Sequence, residues 1–317
     1  MSDPQQPEYP RQPFPPADGY TVPGASAAGP PGGWSDDPLA GAPGDGFEGW
    51  LRRTVAICRR SFGPALALIG GTYVVPIVVL SVVTAIISAR LSRVDTRPDP
   101  ADPMGPLRDM VQSIAGWYAL LLLLAVAAGY LQAVGWSAAV RVMARDAAGE
   151  PRDLGAALRF GLRRGLPLWG WLILEYLCVI VGLCACVLPG VYLSLAMSMI
   201  VPIVVFERGQ PAITRSFRLV HNNFWPTVGR LLLLGLCVFA YTMVLSVVMN
   251  AITGTSSLSS PAEPQSFGAV LTGQLVVSLL SLPAAVVGVA GIVAAYAELR
   301  GREGTGVDTA QLAAATT

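Results

Sequence analysis

Six apolar runs of membrane-spanning length recur from residue 64 onward, and they constrain the fold more than any other feature. About 20 residues of α-helix, at 1.5 Å rise per residue, cross a hydrocarbon core about 30 Å thick. The sequence therefore predicts an all-α polytopic membrane protein with six transmembrane helices. The predicted spans are Pro64 to Ala89, Val111 to Trp136, Pro167 to Leu188, Gly190 to Phe206, Pro226 to Ile252 and Phe267 to Glu298.

Composition also indicates a membrane protein. Of the 317 residues, 53% are hydrophobic and 13% are charged, whereas a soluble chain carries about 25% charged residues. The net charge is +1, so nucleic acid is not expected as a partner, because phosphate binding needs a strongly basic surface. A single histidine, His221, and five cysteines without metal-ligand spacing predict no metal site, and no cofactor is expected.

Two tails flank the predicted transmembrane domain, which covers residues 47–303. Residues 1–46 are rich in proline and glycine and poor in aliphatic residues, so they are predicted to be a disordered cytoplasmic tail. Prolines at every third position from Pro4 to Pro16 would line one face of a polyproline II segment. A protein partner docked on this tail is therefore an alternative to a solvated tether. Residues 304–317 are predicted to be a disordered cytoplasmic C-terminal tail.

Arginine placement predicts the orientation, because positively charged loops stay cytoplasmic. Arginines precede the first span, separate the second from the third and the fourth from the fifth, and follow the sixth. The opposite loops carry little charge, except the first, where four arginines face four aspartates. We therefore expect a multi-pass protein of the plasma membrane with both termini in the cytoplasm.

The fourth span is short and follows the third after only Leu188-Pro189-Gly190. A Pro-Gly pair ends a helix and turns the chain, so a tight hairpin is favoured. One bent re-entrant element is the alternative.

A threefold repeat precedes the odd-numbered spans. Each begins near a proline, and before Pro64 and Pro226 apolar residues recur at spacings of 4, 3 and 4, which lie on one face of a helix. The copy before Pro167 is degenerate, and a chance likeness among basic juxtamembrane segments is the alternative. The pattern predicts three hairpins, each preceded by a cytoplasmic interfacial amphipathic helix whose arginines contact anionic lipid headgroups. These arginines are Arg52, Arg53, Arg59, Arg60, Arg159, Arg163, Arg164, Arg215 and Arg218.

Glu175 is the one acidic residue well inside a predicted span. A carboxylate at that depth is costly and is a candidate for a proton relay or a substrate contact. A structural role is the alternative, including an ion pair with Arg230, the only basic residue within a span.

The second half of the chain resembles a bacterial family described as the glycerophosphoryl diester phosphodiesterase membrane domain. The resemblance rests on LPGVY (Leu188 to Tyr192), on VVFE (Val204 to Glu207) after Pro202, and on RSFRLV (Arg215 to Val220) followed by Phe224-Trp225. Tyr296 to Gly304 resembles the closing signature of that family, with Glu298 where Asp is more usual.

The resemblance implies an architecture more than an activity. In some relatives this membrane region precedes a soluble metal-dependent phosphodiesterase domain, which needs clustered His, Glu and Asp. Only fourteen residues follow Glu303, so we expect no enzymatic activity and no catalytic residue. The favoured hypothesis is a scaffold or accessory component of the cell envelope that binds anionic lipid. A small-molecule or lipid transporter with Glu175 in its pathway is the alternative, and an intramembrane enzyme comes third.

Overall fold

Helices make up all the regular secondary structure in the residues that this computed structural model describes, which are 37–40, 46–91, 104–253, 267–303 and 308–317. Among these described residues, six helical segments are long and apolar enough to cross a membrane. The predicted all-α polytopic membrane fold is therefore confirmed. In chain order the helices are α1 (Gly46–Leu91), α2 (Gly105–Ala147), α3 (Leu154–Ala185), α4 (Val187–Met197), α5 (Ile200–Phe206), α6 (Ala212–Asn222), α7 (Phe224–Thr253), α8 (Phe267–Arg302) and α9 (Thr309–Ala314).

Most helices pack against their neighbours in sequence. α1 lies against α2, α2 against α3, and α7 against α8, while α8 also packs along α1. α4 and α5 both contact α3, so the fourth span returns along the third as the predicted hairpin. α5 contacts both α2 and α8, which places it toward the middle of the bundle.

The turn between the third and fourth spans lies earlier than predicted. Cys186 is the extended residue between α3 and α4, with φ −173° and ψ 153°, whereas Pro189 and Gly190 lie in the first turns of α4. Proline is tolerated in a first turn because its missing N–H has no partner there. A Cβ atom on Gly190 would lie 2.8 Å from the backbone nitrogen of Leu183, so this glycine serves close helix packing.

The predicted interfacial helices take two forms. α6 is a separate helix that ends at Asn222, before α7 begins at Phe224. In contrast, Pro64 and Pro167 lie inside the continuous helices α1 and α3, so the expected break is wrong for the first two units. Asn222 and Asn223 explain the difference, because asparagine side chains compete for backbone hydrogen bonds and disfavour helix interiors.

The arginine-bearing helix ends meet at one end of the bundle. The Ser61 hydroxyl of α1 donates a 2.6 Å hydrogen bond to Asp146 at the end of α2. The start of α1 also contacts the last third of α8, where Trp50 Nε1 donates to the Gly291 carbonyl at 3.0 Å and Arg53 pairs with Glu298. All the clusters described below lie at this end, which we call the arginine end.

Parts of both predicted tails are ordered on this bundle. Asp37 accepts hydrogen bonds from the Thr309 backbone N–H at 3.0 Å and from the Thr309 hydroxyl. Leu39 and Leu312 are buried, and Asp308 caps α9 by accepting from the Gln311 N–H at 2.7 Å. The prediction of disorder is therefore wrong for residues 308–317 and for 37–40, because short apolar segments find a partner surface. The remaining tail residues, 1–36, 41–45 and 304–307, lie outside the described residues, as do the predicted outer loops at 92–103 and 254–266.

Candidate functional site

Glu298 of α8 is the centre of a buried ionic cluster at the arginine end. Its side chain is fully buried, and Arg230 of α7 and Arg302 approach its Oε1 atom at 2.7 and 2.6 Å. Arg53 of α1 approaches Oε2 at 3.2 Å. One carboxylate thus joins three helices. A buried ion pair is strongly destabilised when one partner is lost, because the other charge is left desolvated.

A second cluster joins the loop after α5 to α6 and the end of α8. Arg215 donates to Glu207 at 2.9 Å and to Glu303 at 2.6 Å. The Tyr296 hydroxyl donates to Glu207 at 2.9 Å, and Arg300 donates to Glu303 at 3.0 Å. Hydrogen bonds to Glu303 and Glu207 outweigh burial and raise the pKa of Arg215. The guanidinium of Arg215 therefore holds α6 in place.

The nine arginines predicted to contact lipid headgroups differ in how deeply they are buried. Arg53 and Arg215 are buried, so for them headgroup contact is wrong and ion pairing inside the protein replaces it. Arg60 is half-buried beside Asp146, at 3.8 Å. Of the other six, Arg52, Arg59, Arg159, Arg163 and Arg218 are exposed and Arg164 is half-buried.

Glu175 is half-buried on α3. It has no hydrogen bond or ion pair within the described part of the chain. Arg230 pairs with Glu298 instead, so the alternative of a Glu175–Arg230 ion pair is wrong. Glu175 also does not line either of the two cavities described next.

Two adjoining, partly open cavities lie between the helices. The first, of about 210 Å³, is lined by α1, α2, α7 and α8. The second, of about 180 Å³, is lined by α2, α5, α7 and α8. Four residues line both cavities: Trp136, Val238, Ala284 and Ala285. Polar side chains are concentrated in the first cavity, and we call the two the polar cavity and the apolar cavity.

Sequence reasoning missed Glu298 as an organising residue and did not find the cavities. A signal for Glu298 was present, because a carboxylate near the end of an apolar span needs a partner, and Arg230 was already singled out. The cavities had no sequence signal, since they depend on how five helices pack.

Within the described residues, no group of three or more His, Cys, Asp or Glu side chains is arranged to hold a metal ion. The ionic clusters are instead carboxylates neutralised by arginine. Comparison of the chain with protein-family models, with curated proteins and with solved structures gave no match.

Proposed function

We propose that this chain is a non-enzymatic integral membrane protein, a scaffold or accessory component of the cell envelope, whose arginine end binds anionic lipid headgroups. The observation that carries the proposal is the surface of α3. Arg159 and Arg163 are exposed there one turn apart, beside the exposed side chains of Leu158 and Leu162. Exposed arginine next to exposed leucine is the composition of a helix segment that lies at the headgroup level.

The same combination recurs on α1. Arg52 and Arg59 are exposed, and so are the neighbouring Leu51 and Val55. Within the described residues neither arginine forms an ion pair with a carboxylate, so both are free to contact an anionic headgroup. Each arginine near an anionic membrane surface contributes about 1 kcal/mol of attraction.

The proposed orientation follows from the positive-inside rule. The chain segment at Asp37 and helix α9 lie at the arginine end. We therefore propose that this end faces the cytoplasm of the plasma membrane. A protein partner on the N-terminal tail and the family resemblance stay predictions.

Lipid retention tests the headgroup proposal. Full-length protein in nanodiscs of mixed phosphatidylglycerol and phosphatidylcholine is extracted, and native mass spectrometry counts the retained phosphatidylglycerol. We expect Arg159→Gln with Arg163→Gln to lower retention about fivefold for each arginine. Arg108→Gln is the matched control, because Arg108 is exposed at the start of α2, at the opposite end of the bundle. Equal losses in both variants, or no loss, would contradict the proposal.

A transporter is the second candidate, and the two cavities are the observation that favours it. The transporter hypothesis drawn from the sequence places Glu175 in the pathway. Glu175, however, lines neither cavity. Flux of labelled phospholipid or protons into proteoliposomes separates the candidates. If the natural protein supports flux and Glu175→Gln abolishes it, the transporter replaces the scaffold proposal. Absence of flux in both the natural protein and the variant favours the scaffold.

A further inference from the structure

The polar cavity holds hydrogen-bonding groups between helices that are long and apolar enough to cross a membrane. Thr72, Thr242 and Ser281 line it, and each hydroxyl donates to a carbonyl of its own helix, at 2.9, 3.0 and 2.8 Å. The hydroxyl hydrogens of these three residues are therefore used within their own helices. A ligand that hydrogen-bonds to any of these oxygens must supply the donor.

Three further side chains on the wall of this cavity carry polar groups without a partner. They are the Tyr73 hydroxyl, the Gln132 amide and the Trp136 indole N–H, and none forms a hydrogen bond with a described residue. In a hydrocarbon environment each unsatisfied polar group costs several kcal/mol. The polar cavity is thus suited to a molecule that both donates and accepts hydrogen bonds.

The apolar cavity continues from the same wall residues into an aliphatic space. Val201, Val289, Ile292 and Val293 line it. Gly288 lines it too, and a Cβ atom added there would meet no atom within 4 Å. Water fills polar cavities but leaves cavities of this lining dry. The apolar cavity is therefore suited to a hydrocarbon chain.

We propose that the two cavities together form a binding site for one uncharged amphiphile. Its hydroxyl or carbonyl head lies at Tyr73, Gln132 and Trp136, and its hydrocarbon chain lies along Gly288 and Val289. Among the described residues, no charged side chain lines either cavity, which disfavours an ionic headgroup because a charge there would be uncompensated. The ligand class is thus a neutral lipid with free hydroxyl groups, such as a monoacylglycerol. This site is separate from the headgroup contacts proposed for the arginine end.

Photolabelling tests the proposal. Full-length protein in phosphatidylcholine nanodiscs is incubated with a monoacylglycerol that carries a diazirine on its acyl chain, irradiated and mapped by mass spectrometry. We expect labels on the walls of the apolar cavity in α2, α5 and α8, and competition by unlabelled monoacylglycerol. A phosphatidylglycerol probe with the same diazirine should label only exposed positions, such as those of α7.

Two matched glycine variants test whether the labelled site is the apolar cavity. Gly288→Leu fills the apolar cavity and should lower cavity labelling about tenfold, which corresponds to a tenfold loss of affinity. Gly229→Leu makes the same change at an exposed position on the face of α7 opposite Val238, where an added Cβ atom is equally free of contacts, and it should have no effect. Gln132→Leu should weaken labelling through loss of the head contact. Gly288→Ala adds only one methyl group and should lower cavity labelling in part. It provides the test if the Gly288→Leu protein does not fold.

Three results would overturn the proposal. These are labels confined to exposed positions, cavity labels that unlabelled monoacylglycerol does not reduce, and equal labelling of the Gly288→Leu and Gly229→Leu proteins. None of them bears on phosphatidylglycerol retention at the arginine end, so the two proposals fail independently.

Discussion

Arg230 of α7 and Glu298 of α8 form an ion pair of 2.7 Å, with only 3% and 0% of their side chains exposed. Arg53 of α1 approaches the second carboxylate oxygen of Glu298, so a single acidic residue links the first, fifth and sixth membrane-spanning helices. The carboxylate neutralises guanidinium groups that the apolar sequence around them could not otherwise accommodate. Loss of this carboxylate should affect helix packing more than loss of any exposed charge.

Glu298→Gln should lower the free energy of unfolding by about 3–5 kcal/mol, because Arg53 and Arg230 remain buried without a counter-charge. Titration with sodium dodecyl sulfate in mixed micelles measures the difference. Glu150→Gln is the control. Glu150 pairs with Arg145 but keeps 35% of its side chain exposed, so its loss should cost less than about 1 kcal/mol. Similar values for both variants would contradict this account.

Gly161→Ala should separate α2 from α3. A Cβ atom at Gly161 would lie 2.5 Å from the Val134 carbonyl oxygen, and backbone cannot move aside as a flexible side chain does. Overpacking of this kind costs about 1–3 kcal/mol. Gly170→Ala on the same helix meets no atom within 4 Å and should be neutral or stabilising by up to about 1 kcal/mol. Thermal unfolding in detergent compares the two variants. A Gly161→Ala protein as stable as the natural protein would show that α2 and α3 lie farther apart than in this structure.

The contact between α6 and the end of α8 should weaken in acid. Burial raises the pKa of Glu303, but hydrogen bonds from Arg215 and Arg300 outweigh it, so the pKa lies below its usual value of 4.5. A depressed carboxylate pKa contributes stability that is complete above the unfolded value and is lost as the pH falls through the folded value. Glu303→Gln should therefore be less stable than the natural protein at pH 7, and the difference should shrink below about pH 4.5. A difference that stays constant from pH 7 to pH 3 would contradict the assignment.

Asp37→Ala should release both terminal segments, since Asp37 accepts from Thr309 and from its own neighbours Leu39 and Ala40, at 2.9 and 2.6 Å to their N–H groups. Limited proteolysis should cut the chain near α9 faster in this variant. Thr309→Val removes the hydroxyl from the same contact and should have a similar effect, and the double variant should add little more. Fully additive rates would indicate that the two residues act separately.

Sequence patterns predicted the helices well and their ends less well. The apolar runs identified all six spans, because hydropathy summed over about 20 residues is a strong signal. The proline positions suggested three separate interfacial helices, yet only the copy with Asn222 and Asn223 is separate from its span. A proline does not by itself end a membrane helix, since surrounding protein can satisfy the freed carbonyl group.

The arginine pattern was only partly informative about the site. Leu51 and Val55 are exposed as the amphipathic pattern of α1 predicted, but Arg53 points into the protein and not toward headgroups. Sequence periodicity identifies the faces of a helix, but it does not show which face meets another helix.

Local composition by itself determined the helical class, the number of spans and the concentration of arginine near particular span ends, because these properties depend on short stretches of chain. Only the tertiary structure decided that Arg230 pairs with Glu298, that Glu175 lies away from both cavities, and that Tyr73, Gln132 and Trp136 meet around one of them. The physical reason is that such contacts join residues on different helices. They are set by packing distances and relative rotations that no single segment encodes.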